Sequence, residues 1–218
     1  MNLSEKKIGI ITLTIGNWDL MGPHFESIYR TYPYPKEIFI IPNIDYGLSL
    51  SAAINTGFKR AIAEKCDALC YIADDVTVGD GAIETVVRHL LENELWMVNA
   101  SGENSSGWDF FAVRDIIFEQ IGFWDESFYP AYFEDNDFAR RLWIKEQHIG
   151  QKMHDYISVP FVHLGSQTIK RLDGAELNKH HENFNKNKAH YVAKWGGEPG
   201  NEKFMFPFNV DYSSFPGI

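Results

Sequence analysis

Two hydrophobic periods alternate along the first half of the chain. Ile8 to Ile15 is a compact, largely β-branched run, which predicts a buried strand, and Gly16-Asn17 closes it with a turn signal. Pro23 suits the first turn of a short helix reaching Tyr29, with Phe25, Ile28 and Tyr29 apolar. Tyr32-Pro33-Tyr34-Pro35 blocks helix, and Glu37 to Ile41 predicts a second buried strand stopped by Pro42. From Ser49, a good N-cap, apolar or small residues fall at Leu50, Ala53, Ile54, Gly57, Phe58, Ala61 and Ile62. That is the i, i+3, i+4, i+7 stripe of an amphipathic helix. A third strand, Ala68 to Ala73, runs straight into Asp74-Asp75. Asp80-Gly81 opens another helix through about Leu91, and Trp96 to Val98 makes a fourth short strand.

This alternation specifies an α/β fold, a single Rossmann-like domain with a mainly parallel central sheet flanked by helices. Ligands of such sheets gather at the carboxyl ends of the strands. The loops there hold Gly16-Asn17, Asn43 to Asp45, and Asp74-Asp75, which brings the three near one another. After Asn99 the regularity ends. A Gly/Ser/Asn loop from Ser101 to Gly107 precedes a strand at Asp109 to Val113, and an aromatic segment, Phe128 to Phe133, leads into Glu134-Asp135-Asn136-Asp137. Phe138 and Leu142 then fall i, i+4 on a helical run. Ile157 to His163 reads as a late strand, and Ala175 to Trp195 as a long helix carrying Leu177, Phe184, Tyr191 and Trp195. The tail is irregular and aromatic, and is expected to fold back over the domain. With no internal repeat or linker, residues 1–218 read as one domain: a nucleotide-binding half at 1–100, a catalytic half at 101–195 and a packed tail at 196–218.

Composition narrows the partners. A 218-residue chain with 44% hydrophobic and 15% aromatic residues folds around a substantial core. The formal charge of -10 argues against broad attraction to nucleic acid or anionic membrane, and suits a site that holds a divalent cation. Cys66 and Cys70, four apart with no second pair, read as buried thiols in a reducing compartment. The apolar run after Lys7 is too short and polar for a signal peptide or membrane span, so cytoplasm is the expected location.

Two acidic stretches carry candidate chemistry. Asp74-Asp75 at the end of a buried strand repels itself unless a cation, a proton or a helix N-terminus compensates. Hard divalent ions take such oxygen ligands together with substrate phosphates; ordinary turn chemistry is the competing account. Glu134, Asp135 and Asp137 stand where a helix N-terminus welcomes negative charge. Beside aromatic walls, a carboxylate there can also keep a raised pKa and act as a base. His163, after a strand, is either a hydrogen-bonded structural residue or a metal ligand.

Taken together these segments resemble the family 2 glycosyltransferases, nucleotide-sugar-dependent enzymes of GT-A fold, from Ile8 to about Thr168. Asp45-Tyr46-Gly47 through Ala53-Ile54-Asn55-Thr56-Gly57-Phe58 resembles the family's "N-x-G" and "A-x-N-x-G" segment, with Asp45 where Asn is usual. Tyr71 to Val76 resembles its metal-binding acidic motif, and Ile121 to Phe128 its "G-x-F-D-E-x-F" segment. Tyr132 to Asp137 with Arg140-Arg141-Leu142 resembles "E-D-x-D-hydrophobic-x-x-R", and Phe161 to Ser166 the histidine segment. The second strand departs, with Pro42-Asn43-Ile44-Asp45 in place of a "D-D-x-S-x-D" turn.

The resemblance implies an inverting transfer from a nucleotide sugar, a UDP-sugar by default, to an acceptor hydroxyl. Asp75, helped by Asp74, would hold Mn2+ or Mg2+ against the diphosphate, with His163 as a possible third ligand. Asp135 would be the general base, and Glu134 and Asp137 would position the acceptor or cap the helix. Thr12, Thr14, Asn17, Asn43, Asp45 and Asn55 fall where the family binds its nucleotide sugar. Trp108, Trp124, Tyr129 and Tyr132 are candidates to stack on the acceptor, a glycan or lipid-linked sugar by default and a modified nucleobase in DNA as an option. A sugar nucleotidyltransferase would need a Gly-rich basic loop after the first strand, which Gly16-Asn17-Trp18-Asp19 does not supply. A non-catalytic nucleotide- or carbohydrate-binding module would account for the aromatics but not for two acidic stretches.

Overall fold

The first strand, β1 (Ile8–Thr14), is buried along its whole length, as a strand paired on both edges and covered on both faces must be. The computed structural model describes residues 1–43, 47–165 and 174–210. After β1 come α1 (Trp18–Thr31), β2 (Lys36–Pro42), α2 (Leu50–Ala63), β3 (Ala68–Ile72), β4 (Val76–Val78), α3 (Ala82–Glu92), β5 (Met97–Glu103) and β6 (Phe110–Val113). Then follow α4 (Ile116–Ile121), α5 (Glu134–Ile149), β7 (His154–His163) and α6 (Gly174–Trp195). The sheet order is β2-β1-β3-β6-β5-β7-β4. β1, β2, β3, β5 and β7 run one way, while β6 and β4 run against them, so the sheet is mainly parallel as the alternation predicts.

Successive residues of each strand serve opposite faces. Ile8, Ile10, Cys70 and Phe110 face α1 and α3, where Ile28 and Val86 meet them. Ile11, Leu69, Tyr71 and Phe111 face α2, α4 and α5 through Phe58, Ile117 and Phe138. Helix α2 lies so close to β1 that a Cβ on Gly57 would sit 2.3 Å from Ile11 Cγ2, which accounts for glycine there. Ser49 caps α2 by accepting from the Ala52 N–H, as its sequence predicts.

The differences from the sequence reading are local. Helix α1 begins at Trp18, with Pro23 inside it and not in its first turn. A single turn precedes the proline, so its missing N–H interrupts little helix. β4 and α4 are short elements of three and six residues that the pattern does not announce. β5 runs on to Glu103, into the segment expected as loop, and β7 starts at His154.

A charged strut joins α5 to α6. Asp137 is fully buried; it accepts from Trp195 Nε1 at 2.9 Å, pairs with Arg141 Nε at 2.9 Å and with Lys194 Nζ at 2.6 Å. Lys194 also pairs with Asp125, whose carboxyl is drawn down to about 2 by this ammonium and the Ser127 hydrogen bonds against the opposing effect of burial. Phe128, Phe133, Tyr191 and Trp195 pack around this strut. The chain then turns back, with the Lys203 and Phe204 N–H groups donating to Trp195 O and Arg140 Nη2 donating to Phe204 O. Among the described residues no helix is long and apolar enough to cross a membrane. Asp137→Ala would take a charge partner from buried Lys194 and Arg141 and the acceptor from the Trp195 indole, and should cost about 3–5 kcal/mol of stability, read as a lower urea midpoint.

Candidate active site

Strand register assembles the first part of the site. The Ala73 N–H donates to Asp109 O at 2.9 Å, extending the β3–β6 ladder and setting Asp109 beside Asp74-Asp75. Val76 pairs with His163 across β4–β7, and the Leu164 N–H donates to Asp75 O at 3.0 Å. The His163 ring therefore lies between two carboxylates: Nε2 is 3.2 Å from Asp75 Oδ1, and Nδ1 is 3.4 Å from Asp109 Oδ2 and 3.3 Å from Asn104 O. Asp75 first, and Asp109 after it, favour the imidazolium, so His163 holds its proton above the usual histidine range although burial opposes this.

The second part is the start of α5. Tyr132 and Phe133, immediately before it, both have left-handed backbones, with φ of 84° and 70°. Non-glycine residues rarely adopt this conformation, and each costs on the order of 1–3 kcal/mol that packing must overcome. Phe133 is held against Phe184 and Tyr191, and Tyr132 OH lies 3.1 Å from His180 Nε2. Asp135 is half-buried, with Oδ1 accepting from the Asn136 N–H at 2.7 Å. Burial, and then Asp109, raises its carboxyl above the normal aspartate value. Glu134 is buried with no hydrogen-bond partner at Oε2, and burial followed by Asp135 pushes its carboxyl up to about 8.

Tyr71 reports how these parts converge. Its buried phenol is pushed far above the ordinary tyrosine range, first by burial and then by Asp74, Asp109, Asp75 and Glu134. Carboxylates from the β3 end, the β6 start and the α5 N-terminus thus surround one point at the carboxyl end of the sheet.

The residues expected from sequence divide into those at this point and those elsewhere. Asp74, Asp75, Glu134, Asp135 and His163 are at it. Asp137 is not; it is the fully buried strut described above, its oxygens taken by Arg141, Lys194 and Trp195. Trp124 is 3% exposed and stacks on Phe138 with ring centroids 3.7 Å apart, so it is core and not an acceptor platform. Asn55 is likewise occupied. Its amide nitrogen donates to Trp124 O and Glu126 Oε1, and its oxygen accepts from the Trp124 N–H.

Thr12 is fully buried with Oγ1 2.9 Å from His24 Nε2, on the α1 side of the core. Thr14, also buried, accepts from the Gly16 N–H and shapes the turn; Asn17 is buried at the same loop. Asn43 bridges to Leu48 through both atoms of its amide. Asp45 lies outside the described residues. Trp108 is half-buried, edge-on to Phe111 and Phe138. Tyr129 is exposed and Tyr132 half-buried, both just before Asp135.

Two residues at the site escaped the sequence reading. Asp109 was read as the start of a strand; only if that strand is antiparallel to β3 does its first residue reach this end of the sheet, and apolar pattern does not report direction. Tyr156, on β7, has a phenol raised by partial burial and by Asp135. Its ring faces Gly107, where an added Cβ would sit 3.1 Å away.

Among the described residues no three His, Cys, Asp or Glu side chains form a ready-made metal cluster. Asp75 and His163 nevertheless face each other with an oxygen and a nitrogen donor, a pair that suits Mn2+ or Mg2+ when a nucleotide supplies further oxygens.

Solved structures of glycosyltransferases of GT-A fold share this mainly parallel sheet. The catalytic domain of Drosophila β1,4-galactosyltransferase 7 is similar with a TM-score of 0.51 at 16% identity, over 78% of this chain and 75% of that one. Glucosyl-3-phosphoglycerate synthase from Mycobacterium tuberculosis is similar with a TM-score of 0.54 at 8% identity, over 84% and 78%. Residues 1–349 of S. aureus TarS give 0.54 at 10%, over 71% and 60%. The chain has the GT-A glycosyltransferase fold. No family model matches it, and neither does any curated protein sequence.

Glu134 makes the site's titration testable. Its folded pKa, about 8, lies above the ordinary glutamate value of 4.5. Its contribution to stability is therefore full below about pH 4.5 and is lost as pH rises through 8. The unfolding free energy of Glu134→Gln minus that of the parent should grow across this window and level off above it, measured by urea titration at each pH.

Proposed function

We propose that this protein is a metal-dependent inverting glycosyltransferase that moves a sugar from a nucleoside-diphosphate sugar to an acceptor hydroxyl. One observation carries the reading: Asp135 is half-buried with a raised pKa and stands beside Asp109, which itself reaches His163 and so links the base to the Asp75–His163 pair. A base and the Asp75–His163 pair are then joined through one carboxylate, Asp109, at the carboxyl end of the sheet, where a donor and an acceptor would meet. The similar structures give chemical context. Those of the Drosophila galactosyltransferase hold manganese, UDP-Gal and xylobiose, and that of the mycobacterial synthase holds Mn2+, UDP and phosphoglyceric acid.

Asp135 takes the proton of the acceptor hydroxyl as that oxygen attacks the anomeric carbon from the face opposite the diphosphate. A carboxylate with raised proton affinity is the better base for this. Asp75 and His163, helped by Asp74, would hold Mn2+ or Mg2+; when bound, such an ion neutralises charge on the departing nucleoside diphosphate. The loops at Gly16-Asn17 and Asn43 border the donor side, within the 1–100 half, and UDP is the first nucleotide to test. Trp108, Tyr129, Tyr132 and Tyr156 border the acceptor side. Glu134, protonated near neutral pH, donates a hydrogen bond there without adding charge. A glycan or lipid-linked sugar is the first acceptor class, and a modified nucleobase in DNA the second. The free buried thiols Cys66 and Cys70 suit a cytoplasmic setting.

Asp135→Asn, nearly isosteric, should lose about 10²–10⁴-fold in turnover while nucleoside-diphosphate affinity stays within a few-fold. Full turnover in this variant would remove Asp135 as the base. Asp75→Asn should keep the fold and abolish the Mn2+-dependent part of UDP binding, followed by calorimetry. UDP binding that is equally metal-dependent in this variant and the parent would move the metal elsewhere.

A further inference from the structure

We infer that Asp109 is a positioning residue: it orients the His163 ring so that Nε2 is presented on the Asp75 side, the nitrogen through which His163 would ligate the metal. The inference rests on the metal-dependent reading above and adds to it a residue that touches neither nucleotide nor acceptor in that reading.

An imidazole can serve as a ligand through one nitrogen only if the other carries the proton and something accepts it. On the Nδ1 side of His163, Asn104 O makes the hydrogen bond at 3.3 Å and the Asp109 carboxylate stands within ion-pair reach, Oδ2 at 3.4 Å, so its charge favours the proton on Nδ1. On the Nε2 side stands Asp75 Oδ1 at 3.2 Å. Turning the ring over would replace Nδ1 by Cδ2 and Nε2 by Cε1, losing both sets of contacts at once. Asp109 can act as a fixed reference because it is itself held. Its Oδ2 accepts from Ser105 Oγ at 3.0 Å, Ser106 N at 2.8 Å and Ser106 Oγ at 3.2 Å, and its backbone oxygen accepts from Ala73 N at 2.9 Å. The last bond ties Asp109 to the strand end that carries Asp74 and Asp75, so ring, reference and facing carboxylate share one frame. Carboxylate–histidine–metal arrangements of this kind raise ligand basicity, and loss of the outer carboxylate typically weakens metal binding 10–100-fold.

The test measures Mn2+ affinity directly, by electron paramagnetic resonance of free Mn2+ with the full chain and saturating UDP. Asp109→Ala should weaken Mn2+ about 10–100-fold. Asp109→Asn, which keeps an acceptor oxygen, should recover most of the loss. In a His163→Ala background, Asp109→Ala should change Mn2+ affinity by less than about twofold, because the two residues act as one unit. Parental affinity in Asp109→Ala would overturn the inference and leave the metal site standing. A loss that persists undiminished without His163, or that Asn fails to rescue, would also overturn it, since Asp109 would then act as a ligand or merely as a loop anchor. A parent chain that binds no Mn2+ with UDP would overturn the metal-dependent reading and this inference together.

Discussion

Everything at the candidate site depends on two strand registers. Pairing Ile72 with Phe110 puts Asp109 against the end of β3, and pairing Val76 with His163 puts the imidazole against Asp75. Side-chain direction in a strand has a period of two, so slipping either register by one residue would turn the functional group to the opposite face. Both pairings are antiparallel contacts made by short strands within a mainly parallel sheet. They reverse the chain at the carboxyl end of the parallel strands, which is how a strand start (Asp109) and a strand end (His163) come to share an edge with Asp74 and Asp75.

The α5 side of the cleft is held differently, by packing and buried charge. Trp124 stacks on Phe138 one turn beyond the acidic residues, and Asn55 clamps the backbone of Trp124. Asp137 pins the same turn to α6 through Lys194 and Trp195. A helix fixed on both flanks can hold Tyr132 and Phe133 in left-handed conformations that neither would adopt alone. The residues that look catalytic in sequence thus split by helical face: Asp135 stands beside Asp109, while Asp137 is turned into the interior.

This split explains what sequence could and could not convey. Alternating apolar periods disclosed β1, α2 and β3 nearly to the residue, because each is a long or fully buried element whose pattern is set by the core. Asp75, Asp135 and His163 drew their roles from the ordered motifs that resemble the glycosyltransferases, since each taken alone reads equally well as a turn, a cap or a structural residue. Asp109 was invisible because strand direction leaves no mark on hydrophobic pattern. Trp124 and Asn55 were misjudged for the converse reason: a large aromatic or an amide near a site reads the same whether it faces ligand or core. Thr12 belongs with them, since its hydroxyl is satisfied by His24 from α1, twelve residues away.

The site gathers five carboxylates, Asp74, Asp75, Asp109, Glu134 and Asp135, in a chain already ten charges negative. Left ionised together in a half-buried cleft they would repel each other strongly. The structure disposes of that charge in two ways. His163, shared between Asp75 and Asp109, sets an imidazole with a strengthened hold on its proton between two of them. Glu134, fully desolvated, keeps its proton up to about pH 8. Asp135 receives neither remedy: it has partial burial, two backbone hydrogen bonds and Asp109 for a neighbour. It is therefore left as an ionisable carboxylate with a strengthened hold on a proton, and separate environments give like residues separate roles. The same burial that raises the Glu134 carboxyl removes one negative charge from beside Asp135.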